Sequence, residues 1–143
     1  MRTRRSVLAL LLVVFIVTPA FAQDIVIHAV NGKNGQPLPN NHLLLFASEG
    51  GDGHDQVENL YTDKNGIATI PSGTIKYSRL QVWVDGHTKC SKNPKGFSWL
   101  MNEIHLKGVT SENNCSRKIT TAPQPNTLVV YASDPTFLEE MRW

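Results

Sequence analysis

Five histidines, a cluster of acids and two cysteines are the residues of this 143-residue chain whose types could carry chemistry. Acid–base work needs a carboxylate–imidazole pair beside a nucleophile, and a metal site needs several ligands converging at fixed spacing. Asp52, His54, Asp55 and Glu58 supply a carboxylate–imidazole pairing on and beside the glycine-rich stretch from Glu49 to Asp55. No nucleophile motif accompanies them, so a solvated loop is the expected reading. His28, His42, His54, His87 and His105 fall in five different predicted elements, and no two share ligand spacing on one strand or helix. Asp63 and Asn65 resemble the start of a calcium loop, yet Gly66-Ile67-Ala68 adds no acid and no terminal Glu follows, which leaves a turn. On these grounds no catalytic, cofactor-binding or metal-ligating residue is assigned, and no cofactor is expected.

Cys90 and Cys115 are the only cysteines, and an even count in an exported chain predicts one disulfide. Closing a loop of ~25 residues would contribute about 3.5 kcal/mol in the chain-entropy description. The competing reading is a metal site that adds His87, three residues before Cys90, but it lacks a second paired spacing to complete four ligands. Asn114-Cys115-Ser116 fits the glycosylation pattern only formally: pairing of Cys115, and a bacterial host if the N-terminal leader signals one, would each argue against modification.

Export itself is read from the first 22 residues. Arg2, Arg4 and Arg5 precede an apolar run from Val7 to Val17, and Ala20-Phe21-Ala22 forms a small-x-small site before Gln23. The run is shorter than the ~20 residues of a membrane-spanning helix. Residues 1–22 are therefore expected to be a signal peptide, with residues 23–143 secreted or periplasmic and free of a membrane span. Thr3-Arg4-Arg5-Ser6-Val7-Leu8 resembles a twin-arginine signal, while the strongly apolar run favours general secretion. The leader also carries three of the 14 Lys+Arg and none of the 12 Asp+Glu, so cleavage leaves 11 basic residues against 12 acidic, a net charge of −1. Nucleic acid is not an expected partner.

The elements that must position these residues are short and separated by Gly, Asn and Pro. Ile25 to Val30, His42 to Ser48 and Thr127 to Ser133 are β-rich runs, and the two prolines of Gln36-Pro37-Leu38-Pro39-Asn40 prevent continuous pairing there. Val57 to Thr62 and Ile67 to Ile70 flank Asp63-Lys64-Asn65-Gly66, which predicts a hairpin. Leu80-Gln81-Val82-Trp83-Val84 alternates with period two, placing Leu80, Val82 and Val84 on one side and Gln81 and Trp83 on the other. Phe97, Leu100, Met101 and Ile104 have helical spacing, with Ser98 as the expected N-cap and Lys107-Gly108 at the end, which predicts about three turns between the cysteines. Arg117 to Thr120 is read as a short strand. Asp134-Pro135 opens a second short helix whose Phe137, Leu138 and Met141 form an apolar stripe. Seven short strands without crossover helices predict an all-β fold, an antiparallel seven-stranded β-sandwich with a short helix between the cysteines and another at the C-terminus.

Ile25-Val26-Ile27-His28-Ala29-Val30 runs into Asn34-Gly35-Gln36-Pro37-Leu38-Pro39-Asn40, and Leu43-Leu44-Leu45-Phe46 is followed by Tyr61-Thr62-Asp63-Lys64-Asn65-Gly66-Ile67-Ala68-Thr69-Ile70. These segments resemble the strand, N-G-x-P-L turn and T-D-x-N-G hairpin of carboxypeptidase regulatory-like domains, small sandwiches of the transthyretin-like (prealbumin-like) type. The resemblance covers roughly the first half of residues 23–143 and implies an accessory module rather than an enzyme. Two enzymatic relatives of that topology are not matched. The chain ends Glu139-Glu140-Met141-Arg142-Trp143 instead of the Tyr-Arg-Gly-Ser of hydroxyisourate hydrolases, and Tyr61, Tyr77 and Tyr131 do not reproduce the iron ligands of intradiol dioxygenases. The expected function is a non-catalytic exported module that binds an envelope protein or surface polymer, or serves as a structural unit, by an open face or an edge strand. The alternative is a small-molecule or carbohydrate binder using the Trp83 and Gln81 face. Trp83 is expected either as an exposed platform or, preferably, under the Phe137, Leu138 and Met141 stripe.

Overall fold

The computed structural model describes residues 23–50, 55–92, 98–135 and 141, and the expected leader, residues 1–22, lies outside them. The described residues form β1 (Ile25–Asn31), β2 (His42–Ser48), β3 (Asp55–Tyr61), β4 (Ile67–Ile70), β5 (Arg79–Val84), β6 (Thr88–Lys89), β7 (Ser98–Leu100), α1 (Met101–Leu106), β8 (Val109–Thr110) and β9 (Thr127–Ser133). They build an all-β fold of two sheets. One has the order β4-β1-β9-β6, with β8 also on β9, and the other the order β3-β2-β5-β7.

Alternation decides which side of each strand is buried. Ile25, Ile27 and Ala29 of β1, Leu43 and Leu45 of β2, Leu80, Val82 and Val84 of β5 and Leu128, Val130 and Ala132 of β9 join one core between the sheets. Each fully buried Leu, Ile or Val contributes about 1.5–3 kcal/mol by leaving water. Ile104 of α1 completes this core.

Five expectations need correction. The sheets are not wholly antiparallel: β1 and β9, the first and last strands, pair in parallel from Val26 opposite Thr127 to Asn31 opposite Ala132, and β8 also runs parallel to β9. A parallel neighbour needs a long return path, and the rest of the domain supplies one without a crossover helix. The continuous apolar run of β9, buried on both faces, is the sequence mark of that central position. The described residues form nine strands rather than seven: Arg117 to Thr120 form none, β6 and β8 add two residues each along the far side of β9, and β7 adds three beside β5.

The predicted hairpin is a crossing between sheets. Its turn is present: Asp63 Oδ1 accepts the Asn65 and Ile67 amides at 2.8 and 2.9 Å, and Gly66 has a φ of 73°. The strands it joins are not partners, since β3 pairs with β2 and β4 with β1. Thr62, buried at the end of β3, donates through Oγ1 to the Leu38 carbonyl at 2.6 Å and accepts the Asn41 amide at 2.9 Å. That anchor holds the end of β3 on the proline segment while Gly66 packs on β1, where a Cβ would stand 2.7 Å from the Ala29 carbonyl.

The helix between the cysteines is six residues, not three turns, and Ser98 does not cap it. Ser98 lies in β7, where its hydroxyl and carbonyl accept Arg79 Nε and Nη2 at 2.9 and 2.8 Å. Trp99, buried opposite Leu80, draws the segment into the sheet, and helical periodicity takes over only from Met101. Phe97 lies outside the described residues. Arg117 to Thr120 form no strand; Ile119 packs instead on a second, smaller core.

Candidate functional site

The two outer faces have different fates. On the β4-β1-β9-β6 sheet, outward Val129 and Tyr131 are covered by the segment from Ser111 to Thr121, with Cys90, Cys115, Val30 and Ile119 packed around them. The expected disulfide is formed between Cys90 and Cys115, whose Cα atoms are 5.1 Å apart. It presses on β1 so closely that a Cβ on Gly32 would collide with Cys90 Sγ. Several polar groups under this cover are paired. Tyr131 Oη donates to Thr121 Oγ1 at 2.9 Å, its amide donates to Ser111 Oγ at 3.0 Å, and Asn113 Nδ2 donates to the Gly32 and Ile119 carbonyls.

On the β3-β2-β5-β7 sheet the outer face carries aromatic residues in register. Trp83 lies opposite Leu44, Gln81 opposite Phe46, and His42 opposite Tyr61. The His42 and Tyr61 rings stack with centroids 4.9 Å apart, and Phe46 meets Trp83 edge-on at 6.3 Å. His42 Nδ1 is 3.2 Å from Asp85 Oδ2. Trp83 is 43% exposed and Tyr61 69%.

Gln81 and Trp83 therefore lie on the side that alternation predicts, and neighbouring strands surround them with a larger patch. The expected lid cannot be placed: Phe137 and Leu138 lie outside the described residues, and Met141 is exposed. What does sit on the indole is Lys89, its Nζ 3.2 Å from the ring centroid. This is a cation–π contact, and partial burial lowers the Lys89 pKa. Sequence reasoning missed Lys89, along with His42, Leu44, Phe46 and Tyr61. The signal was the period-two alternation of β2, which puts His42, Leu44 and Phe46 on one side, but sheet order alone brings that side beside Trp83.

Among the described residues, the other chemistry-bearing side chains do not converge. His105 is buried and its Nδ1 is 2.8 Å from Asn126 Oδ1; His87 Nε2 is 3.3 Å from Asp134 Oδ1. Asp63 is occupied by its turn. Asp52 and His54 lie outside the described residues, whereas Asp55 accepts a 2.6 Å hydrogen bond from Tyr77 Oη. That bond, and then the charge of Asp55, raises the Tyr77 pKa. Among the described residues, no three His, Cys, Asp or Glu side chains gather to hold a metal ion.

One concavity stands apart from both faces. At the end of the molecule a cleft of about 430 Å³ opens between the β4–β5 connection and α1. Ile25, Ile70, Ile75 and Met101 provide apolar walls, and Ser72, Asn102 and His105 bring polar groups to it.

No protein-family model and no curated protein matches the chain. Among solved structures, a 9R-lipoxygenase from Cyanothece PCC8801 is similar at 13% identity and a TM-score of 0.35, over 90% of this chain and 17% of that one. A likeness at that level carries no argument about fold or activity, and the chain spans about a sixth of the lipoxygenase's length. No helix among the described residues is long and apolar enough to cross a membrane.

Proposed function

We propose that this chain is an exported, non-catalytic β-sandwich module of the transthyretin-like type that binds a partner protein of the envelope or periplasm. The interface is the outer face of the β3-β2-β5-β7 sheet. The observation that carries this reading is the asymmetry of the two outer faces: the chain covers one with its own disulfide-linked segment and leaves Tyr61, Leu44, Phe46 and Trp83 together on the other. Clustered exposed aromatic and apolar side chains mark interaction surfaces, and Tyr and Trp are enriched at their centres.

The sheet edges are poorer candidates. β7 is three residues long and β4 four. β3 is longer, but Glu58 stands opposite buried Leu45 on its core-facing side, and a register shift interrupts the ladder between Leu45 and Phe46. An inward charge and a bulge are both devices that discourage strand addition. Carbohydrate stacking is disfavoured in its turn, because Lys89 occupies a face of the indole that a sugar ring would need.

The test is capture of an envelope protein by the immobilised chain, followed by identification of the captured partner and a binding curve. Tyr61→Ser with Trp83→Ser should weaken binding by about 2 kcal/mol or more, as loss of an aromatic hot spot does. Lys118→Ala, on the covered side, should leave it unchanged. Binding indifferent to the double variant would remove the face from the proposal. Turnover of an ester, peptide, glycoside or phosphate that vanishes on a single His or Asp substitution would overturn the non-catalytic reading.

A further inference from the structure

We infer that the cleft between the β4–β5 connection and α1 is a second site, separate from the aromatic face, which takes a small neutral amphipathic molecule. Its volume, about 430 Å³, falls within the roughly 300–1,000 Å³ usual for small-molecule sites. The location has a structural reason. Ile25 and Ile70 pair across β1 and β4 at the end of one sheet, Leu100 ends β7 in the other, and the sheets are bridged there by α1 rather than closed on each other.

Both sides of the opening are held in place. The Met101 amide donates to the Ser78 carbonyl at 2.8 Å, and the Ser72 amide donates to Asp24 Oδ1 at 2.8 Å. Tyr77 is tied to Asp55. A preformed cleft loses little freedom when it is filled, which is what a small ligand needs.

Charge selects the class of occupant. Among the described residues no carboxylate lines the cleft itself, so a cation inside it would leave water without a direct counter-charge. An anion would meet Lys76 at the rim, but the same rim feels Asp55 and Glu49, whose charges both act on Tyr77. The two signs offset each other, and what remains is an aliphatic wall with hydroxyl, amide and imidazole groups at Ser72, Asn102 and His105. An apolar body carrying one uncharged hydrogen-bonding head matches that lining.

A matched series of probes tests this: 4-phenylbutanol, 4-phenylbutyrate and 4-phenylbutylamine, titrated into the purified protein while backbone amide shifts are followed by NMR. The alcohol should move the amides of Ile70, Ser72, Met101 and Asn102, and the two ions should bind about tenfold more weakly, since each must shed water into a lining whose charges offset each other. Asn102→Trp, at the exposed lip, should fill the cleft and abolish the shifts while the Tyr61 and Trp83 signals stay in place. Ser72→Tyr should do the same from the opposite side. Equal binding of an ion and the alcohol would overturn the assigned chemistry. Shifts confined to the Trp83 face, no shifts at all, or binding unaffected by both lip variants would overturn the site, and none of these results bears on capture of a protein by the aromatic face.

Discussion

Tyr131 and Trp83 point outward from central strands of opposite sheets, yet Tyr131 is 1% exposed and Trp83 43%. The difference does not arise in the strands. It arises because the segment from Ser111 to Thr121 folds back over β9, held by the Cys90–Cys115 disulfide and by the Asn113 and Thr121 hydrogen bonds. Over β5, among the described residues, the Lys89 ammonium sits on the Trp83 indole and leaves it exposed. Aromatic content alone therefore says little about role, and the same kind of residue stabilises one face and equips the other.

The largest expected effect breaks the covered side. Tyr131→Ala should lose about 3–5 kcal/mol in denaturant unfolding, as truncation of a buried aromatic does. Trp83→Ala should lose no more than about 1 kcal/mol, the scale of an exposed cation–π contact. Equal losses would mean that both faces are structural and would sink the comparison.

Next in size is the disulfide. Replacing Cys90 and Cys115 with Ser should lower stability by about 3.5 kcal/mol. It should also raise hydrogen exchange at Val129 and Tyr131 while leaving Leu44 and Trp83 protected as before. Faster exchange spread evenly over both sheets would show that the cover is not local.

The smallest effect concerns Lys89. Partial burial holds its pKa below the ordinary 10.5, so the folded state resists protonation more than the unfolded chain does. The resulting penalty is complete at neutral pH and is relieved as pH rises through the lowered pKa toward 10.5. Lys89→Met cannot titrate, so wild-type stability should gain on this variant across that alkaline window. A difference flat with pH would show that the ammonium is as well solvated in the folded protein as in the unfolded one.

Much of this architecture was legible in local pattern. Period two in β5 placed Leu80, Val82 and Val84 inside and Gln81 and Trp83 outside, and Asp63-Lys64-Asn65-Gly66 announced a tight turn with a positive φ. The same turn misled about pairing, because a reversal reports a change of direction and not the sheet that receives the next strand. Helical spacing around Met101 was real, but Trp99 opposite Leu80 decided where the helix could begin. Lys89 was illegible, since its stem reaches Trp83 only after the chain has turned at Asp85-Gly86 and paired with β9.

By itself the sequence determined the six longest strand-forming runs, the buried side of β5, the turn chemistry and the pairing of its only two cysteines, all of which follow from neighbours in the chain or from counting. Tertiary structure alone decided that β1 and β9 lie parallel, that the Ser111–Thr121 segment covers one sheet, and that Tyr61, His42, Leu44, Phe46 and Trp83 share the other's outer face. Those outcomes depend on competition between distant segments for the same apolar surfaces, and no local periodicity records which segment wins.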